Sequence, residues 1–489
     1  MALKDLREWI DLLDRKRELQ RIEVEVDWDE EIGAITREIS SRYGPALLFD
    51  CIKDYRNTPC RRLFTNATGT RERVCRLLGL PEETDYREMT GILKERFSRP
   101  IEPIRVKSGP VKENILKGEE IDLYRFPVPK WNPLDGGRYI MTSSSAVTMD
   151  PESRILNVGT YRGMISTKKT ISVLLATTQG WGKHFTKYRS RGQEMPVAVV
   201  LGWDPTLFMV ASTPVGYPEY EMAGSLRGSP VELVQCETSD LWVPATAEIV
   251  IEGRISPDPK TFEMEGPFSE YAGYYGGKRA PKHTVRVECI TYRKDPIFTG
   301  CLAGSSPGRT NEATSWSLAT FSAVAWQHLE QSGVPNVLGV WRGKWPEVMR
   351  VQIRKSHRGH AQQVANALWG SSVANYAAKH LIVVDEDIDI FDWEAIEWAL
   401  AFRVNAAMGD ISFFPGTSGS MLDPSVPIEQ RDAVKYGHGK WTRVLVDATI
   451  NWELEPQEQY GGNRYPPLGT AISAKMEETL KRRWKEYGF

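Results

Sequence analysis

The chain has 489 residues and a mass of 55.4 kDa, with 41% hydrophobic and 26% charged residues. That is the balance of an ordinary globular protein, long enough for about two to four domains around sizeable cores. A formal net charge of −2 offers no basic footprint for nucleic acid, and no run of ~18 apolar residues is present to span a membrane.

Residues 1–9 form a charged amphipathic segment with no apolar signal core. Cys51, Cys60, Cys75, Cys236, Cys289 and Cys301 show neither a CxxC pair nor metal-ligand spacing. Both features are those expected of a cytoplasmic protein with reduced thiols, and Cys236, in Val-Glu-Leu-Val-Gln-Cys, reads as a small core residue.

Leu6, Ile10 and Leu13 recur at helical spacing, residues 21–27 alternate as a strand, and Ile32, Ile35 and Ile39 return to the helical period. Gly44-Pro45 stops that helix, and residues 46–50 read as a buried strand. This predicts an N-terminal α/β domain over 1–120, followed by a loop-rich boundary at Pro127, Pro129 and Pro133 around Trp131. Between 139 and 300, strands such as 195–202, 247–252 and 283–290 are separated by Gly and Pro turns, and their spacing predicts a barrel-like β domain over 121–313. From Thr314 onward, helix 318–331, strand 350–353, helix 360–378, strand 381–384 and helix 393–404 alternate as a second α/β unit, 314–489. The fold class is therefore α/β in the multidomain α+β sense. The last predicted helix, 472–487, carries Ile472, Met476 and Leu480 on one face with nothing beside it in sequence to cover them, the pattern of an oligomer contact.

Chemistry concentrates in Glu265-Gly-Pro-Phe-Ser-Glu270 and Asn157-Val-Gly-Thr-Tyr-Arg162. Residues five apart on an unbroken strand face opposite ways. Gly266 and Pro267 break that rule, so both carboxylates can line one cavity. There a buried Arg162 would keep one ionised and burial would keep the other protonated. On the residues alone, a surface turn with two solvated acids is the commoner outcome. Asn157, His184 and Glu219 supply a neutral oxygen, an imidazole and a carboxylate, a set suited to Mn2+ better than Zn2+; their wide spacing carries no local signal. Asp385-Glu-Asp-Ile-Asp389 fails as a calcium loop because Ile390 and Ile396 stand where Gly and Glu are required, and reads instead as acids near the N-terminus of the helix from Trp393. Gly-Trp-Gly-Lys183 is not a phosphate loop, and no Gly-x-Gly-x-x-Gly follows a strand. His357 and His360 are expected in a solvated loop or cap. Arg309, Phe413 and Phe414 are candidate pocket residues.

Those two stretches, with Lys183-His184, Glu219-Tyr-Glu-Met-Ala-Gly-Ser-Leu-Arg-Gly228, Val243-Pro-Ala-Thr-Ala-Glu-Ile-Val-Ile-Glu-Gly253, Trp131-Asn-Pro-Leu-Asp-Gly-Gly-Arg-Tyr-Ile140, Val383-Val-Asp-Glu-Asp-Ile-Asp389 and Val444-Leu-Val-Asp-Ala-Thr449, stand in an order that resembles the UbiD-type decarboxylases over nearly the whole chain. The resemblance implies reversible, non-oxidative decarboxylation of an aromatic, heteroaromatic or α,β-unsaturated acid with prenylated FMN, a cofactor supplied by an FMN prenyltransferase. It implies a central split β-barrel of the flavin-reductase type and a homodimer or higher oligomer built by the C-terminal α/β domain. Asn157, His184 and Glu219 would hold Mn2+ against the cofactor phosphate, with K+ beside it. Gly159, Thr160, Tyr161 and Arg162 would cover the flavin, and Lys183 and Lys440 would reach the cofactor. Glu270 would donate the proton in a network with Glu265 and Arg162. The rival reading is a flavin- or metal-dependent enzyme of split-barrel type using unmodified FMN.

Overall fold

The computed structural model describes residues 3–214, 218–431 and 439–488. Leu6, Trp9, Ile10 and Leu13 line the buried face of the opening helix, Leu6–Arg15. Asp5 caps it by accepting from the Arg7 and Glu8 amides, a device worth about 1 kcal/mol. The predicted strand at 21–27 lies instead at Leu19–Ile22, with Val26 making only an isolated bridge to Ile52. The alternation was real, but only the segment beside Ala46–Phe49 finds a ladder partner.

Three sheets organise the chain. The first runs Leu19–Ile22, Ala46–Phe49, Arg62–Thr65, Ile297–Thr299, so its last strand returns from far along the sequence. The second has eight strands. Its path is Leu156–Gly159, Ser144–Met149, Met195–Leu201, Ile249–Ile255, Thr284–Tyr292, Thr170–Val173 and Gly163–Thr167, with Asn114–Lys117 pairing onto Thr284–Tyr292. Every pairing in it is antiparallel. Asn114–Lys117 thus joins this sheet from before residue 120, and Ile297–Thr299 leaves it for the first sheet before residue 313. The third sheet, Val337–Trp341, Val348–Ile353, His380–Asp385, Gly439–Ala448, Ile411–Gly419, has two parallel pairings at its centre and antiparallel edges. Helix Ala313–Gln331 packs against Tyr86–Phe97 and against the third sheet, joining the layers.

Several expectations shift in detail. The helix from His360 ends at Trp369, because Gly370 follows and a short 3-10 turn at Ser372–Ala374 takes over. His360 is fully buried with Nε2 against the Pro335 carbonyl, not solvated. Asp392 caps helix Trp393–Phe402, whereas Asp385 and Asp387 pair with Arg403 past the other end. Arg309 is in an exposed ion pair with Glu38, Phe413 is exposed, and Phe414 packs edgewise on Trp369. The terminal helix spans Ala474–Arg483, with Ile472 and Met476 exposed. Cys236 is buried as expected. Among the described residues no helix is long and apolar enough to cross a membrane.

Candidate functional site

Arg162 sits in the bend that enters strand Gly163–Thr167, and the two acids lie on either side of a hairpin-like fold-back. Glu265 ends strand Glu263–Glu265, paired to Ala280–Lys282; Phe268–Ser269 pairs with Tyr275–Gly276, and Glu270 follows it. A cis Gly266–Pro267 peptide joins the two strand pairs. Both carboxylates then meet one guanidinium. Arg162 Nη2 donates to Glu265 Oε2 at 2.9 Å, and Nη1 donates to Glu270 Oε1. Glu265 is 0% exposed and Glu270 is 8% exposed, so this is a buried cluster and not a surface turn.

Burial pushes the Glu270 carboxyl up; Arg162 opposes the shift and the neighbouring Glu265 adds to it. Burial alone would lower Arg162, but the two carboxylates outweigh it and hold the guanidinium charged. Tyr139 is the partner that the sequence did not announce. Its hydroxyl donates to Glu265 Oε1 at 2.8 Å, and burial together with that carboxylate raises its own pKa far above the phenol range. Tyr139 also packs on Phe268, over which the Arg162 guanidinium lies. Asp135 accepts from the Ser269 amide at 3.0 Å and fixes the approach to Glu270. Gly276 is required opposite: a Cβ there would stand 2.6 Å from Glu270 Cγ. Tyr139 and Asp135 lie inside the 131–140 motif, but no spacing rule marks them.

The second constellation hangs on two neighbouring strands. Thr148 and Asn157 pair across Ser144–Met149 and Leu156–Gly159, so their side chains share a face. Helix Gly180–Ser190 lies over that face. His184 Nδ1 is 3.0 Å from Thr148 Oγ1, and Gly180 comes so close to Asn157 that a Cβ would stand 1.7 Å from its Oδ1. Leu156–Gly159 is an edge strand, and its free Val158 amide donates to Glu219 Oε2 at 3.1 Å. Glu219 opens helix Glu219–Arg227, where the macrodipole favours an acid. Asn157, His184 and Glu219 are therefore anchored around one strand pair. Glu221 lies two residues on and makes no such contact with it.

Burial pushes Glu219 up to about 7, relieved only by backbone amides. Burial lowers His184, keeping its ring neutral. Nδ1 faces the Thr148 hydroxyl, and in the tautomer that carries its proton there Nε2 would present a lone pair. Among the described residues no three His, Cys, Asp or Glu side chains form a metal cluster; this set reaches three donors only through the Asn157 amide oxygen.

Tyr161 stacks on Trp181 with ring centroids 4.0 Å apart, and its hydroxyl accepts from the Trp181 amide and from Asn157 Nδ2, both at 3.2 Å. Gly159 lies beneath that hydroxyl, and Thr160 is held by its amide to the Ala211 carbonyl. Lys183 is exposed in the first turn of its helix, and Lys440 is exposed opposite Ser418; among the described residues no side-chain hydrogen bond or ion pair holds either. The Gly437-His438 part of the Lys440 motif lies outside the described residues.

Residues 10–93, 103–306 and 318–448 match in turn the N-terminal, Rift-related and C-terminal domains of the 3-octaprenyl-4-hydroxybenzoate carboxy-lyase family, UbiD. The chain is 32% identical to pyrrole-2-carboxylic acid decarboxylase of Pseudomonas aeruginosa, over 99% of this chain and 98% of that one. Its fold matches vanillic acid decarboxylase of Sedimentibacter hydroxybenzoicus in closed form with a TM-score of 0.87, at 30% identity and covering 99% and 100% of the two chains. It matches an evolved dimeric form of HmfF from Pelotomaculum thermopropionicum, in complex with prFMN, with a TM-score of 0.75, at 30% identity over 97% and 100%. With all three family segments present in order over a buried Glu–Arg–Glu cluster, the chain belongs to the UbiD family of carboxy-lyases.

Proposed function

We propose that the protein removes CO2, reversibly and without net oxidation, from an aromatic, heteroaromatic or α,β-unsaturated acid, with prenylated FMN as cofactor. The observation that carries this reading is a single buried Arg162 bridging two carboxylates, one of which, Glu270, is raised by burial. Prenylated FMN, when bound, accepts the electron pair left by CO2, which an sp² carbon cannot stabilise alone. The chain's own part is orientation and proton supply. Arg162 holds the two acids at fixed distance, Tyr139 commits a lone pair of Glu265, and Glu270 delivers its proton to the carbon that lost CO2.

A metal fits the second constellation. Glu219 is a carboxylate that burial strains, with amides but no cation against it among the described residues; His184 is neutral, and Asn157 offers an oxygen. Those donors suit Mn2+, which would bridge to the flavin phosphate with K+ beside it. Lys440 and Lys183 are then candidate phosphate contacts, and Gly159, Thr160 and Tyr161 a candidate flavin wall. In this reading the eight-stranded sheet is a split β-barrel of the flavin-reductase type, flanked by α/β domains over about 1–120 and 314–489. The chain works in the cytoplasm, and an FMN prenyltransferase loads it.

Protein coexpressed with such a prenyltransferase should release a cofactor with the mass of prenylated FMN. The mass of plain FMN, with activity intact, would support the rival. In a panel of acids, CO2 release should be confined to planar acids whose carboxylate sits on an sp² carbon, and a saturated acid as best substrate overturns the prenylated-FMN reading. The exposed face of the terminal helix at Ile472 and Met476 is the proposed oligomer contact, so light scattering should give at least a dimer; a concentration-independent monomer would reject it.

A further inference from the structure

Glu270 is followed by Tyr271, and the two side chains diverge. Glu270 turns to Arg162, while the Tyr271 hydroxyl donates to Glu347 Oε1 at 2.5 Å. Glu347 stands directly before strand Val348–Ile353 of the third sheet, so this bond joins the turn that carries Glu270 to the C-terminal part of the chain, where Ser420 is a second partner of the same hydroxyl. The turn is otherwise self-contained. Gly273 N donates to Glu270 O at 2.8 Å, Glu270 N donates to Tyr274 O at 2.9 Å, and Tyr274 is exposed. Its second outside anchor is the Ser305 amide, which donates to Tyr271 O at 3.1 Å.

Arg342 supplies positive charge toward both Glu347 and Tyr271, so the carboxylate end of the bond is supported from its own side of the interface. A second hydroxyl contact spans the same two parts. Thr178 Oγ1 and the Tyr376 hydroxyl are 2.6 Å apart. Thr178 lies two residues before the helix that carries His184. Each half of the site is thus touched by a side chain of the C-terminal part, the Glu347 carboxylate at one and the Tyr376 hydroxyl at the other.

The geometry points to Tyr271 and Glu347 as positioning residues: their bond is a latch through which the C-terminal part sets Glu270 against Arg162. The inference rests on the reading of Glu270 as proton donor. A hydroxyl–carboxylate bond is stronger than a neutral hydrogen bond, yet it can be made and broken as one unit. Without it, the five-residue turn keeps its strand pairing at Phe268–Gly276 and Ser269–Tyr275, but the Tyr271 side chain loses its carboxylate anchor and is left with Ser420 across the interface. A misplacement of about 1 Å at a reacting group costs up to ~10²-fold in rate.

The test uses holoenzyme made with an FMN prenyltransferase and three variants, Tyr271→Phe, Glu347→Ala and Glu347→Gln. Tyr271→Phe and Glu347→Ala should each lower kcat by about 10- to 100-fold with little change in KM and with flavin and manganese content unchanged. The double variant should be no worse than Tyr271→Phe, because Glu347 acts through the Tyr271 hydroxyl that this variant already lacks. Glu347→Gln, which keeps an acceptor, should recover most of the loss. Independently of turnover, amide exchange over residues 270–276 and 304–306 should quicken in Tyr271→Phe without substrate. Additive losses, or unchanged kcat with unchanged amide exchange, overturn the latch. If the wild-type holoenzyme decarboxylates no acid, the functional reading fails on its own, and amide exchange alone then decides whether the latch exists.

Discussion

Replacing Glu270 with Gln should lower turnover by at least ~10²-fold, the usual scale for a lost general acid, while flavin and metal stay bound. The residue is 8% exposed and has the Arg162 guanidinium on one oxygen. Gln keeps that length and can still accept from Arg162, so the cluster stays assembled and only the transferable proton is lost. Deuterium incorporation into product should fall with kcat.

The pH dependence follows from the direction of the shift. Burial raises Glu270, so its acid form persists above the ordinary carboxylate range and is lost as pH rises through the raised value; kcat should fall on that alkaline side. Glu265→Gln acts differently. It removes the fixed negative partner of Arg162 and Tyr139, leaving Arg162 to pair with Glu270 alone, which favours the ionised form of the donor. If Glu270→Gln turns over near the wild-type rate while Glu265→Gln is dead, the roles are exchanged. If both stay active, proton delivery runs elsewhere.

The sequence carries these features unequally, residue by residue. The Gly-Pro break between two acids was visible in the sequence, and so was an arginine to meet them, because those are local facts of chain direction. Tyr139 was not, since its bond to Glu265 spans 126 positions and depends on how the 131–140 loop packs beneath the fold-back. The Asn157–His184–Glu219 set was legible only through family order; its physical basis is the Thr148–Asn157 cross-strand pair, which no periodicity encodes. Strand 19–22 lies a few residues before the alternating stretch because alternation marks a possible strand, whereas a neighbouring strand decides where the ladder stops. The Lys-Ser-His-Arg-Gly-His stretch is polar in composition and so points to solvent, yet its last ring finds a buried carbonyl at Pro335. The latch at Tyr271 joins segments 76 positions apart and could be found only in three dimensions.

Replacing His184 with Ala should strip metal and flavin together. The ring lies against Thr148 on the face that also carries Asn157, and burial keeps it neutral and able to ligate. Glu219, strained by burial to about 7, gains a counter-charge when a divalent ion binds beside it. If the proposed ion sits there, removing the imidazole would weaken its binding directly and with it the hold on the flavin phosphate. Manganese content by mass spectrometry of the metal and flavin content by absorbance should drop in step, with thermal stability of the cofactor-free protein little changed. A graded control separates ligation from support: Thr148→Val keeps the ligand but loses the hydroxyl that orients it, and should weaken metal binding by about 10- to 100-fold without abolishing it. Manganese and flavin both at wild-type levels in His184→Ala would reject the assignment. Loss of flavin with manganese retained would mean that the imidazole meets the cofactor itself and that the ion, if bound, is held by other groups.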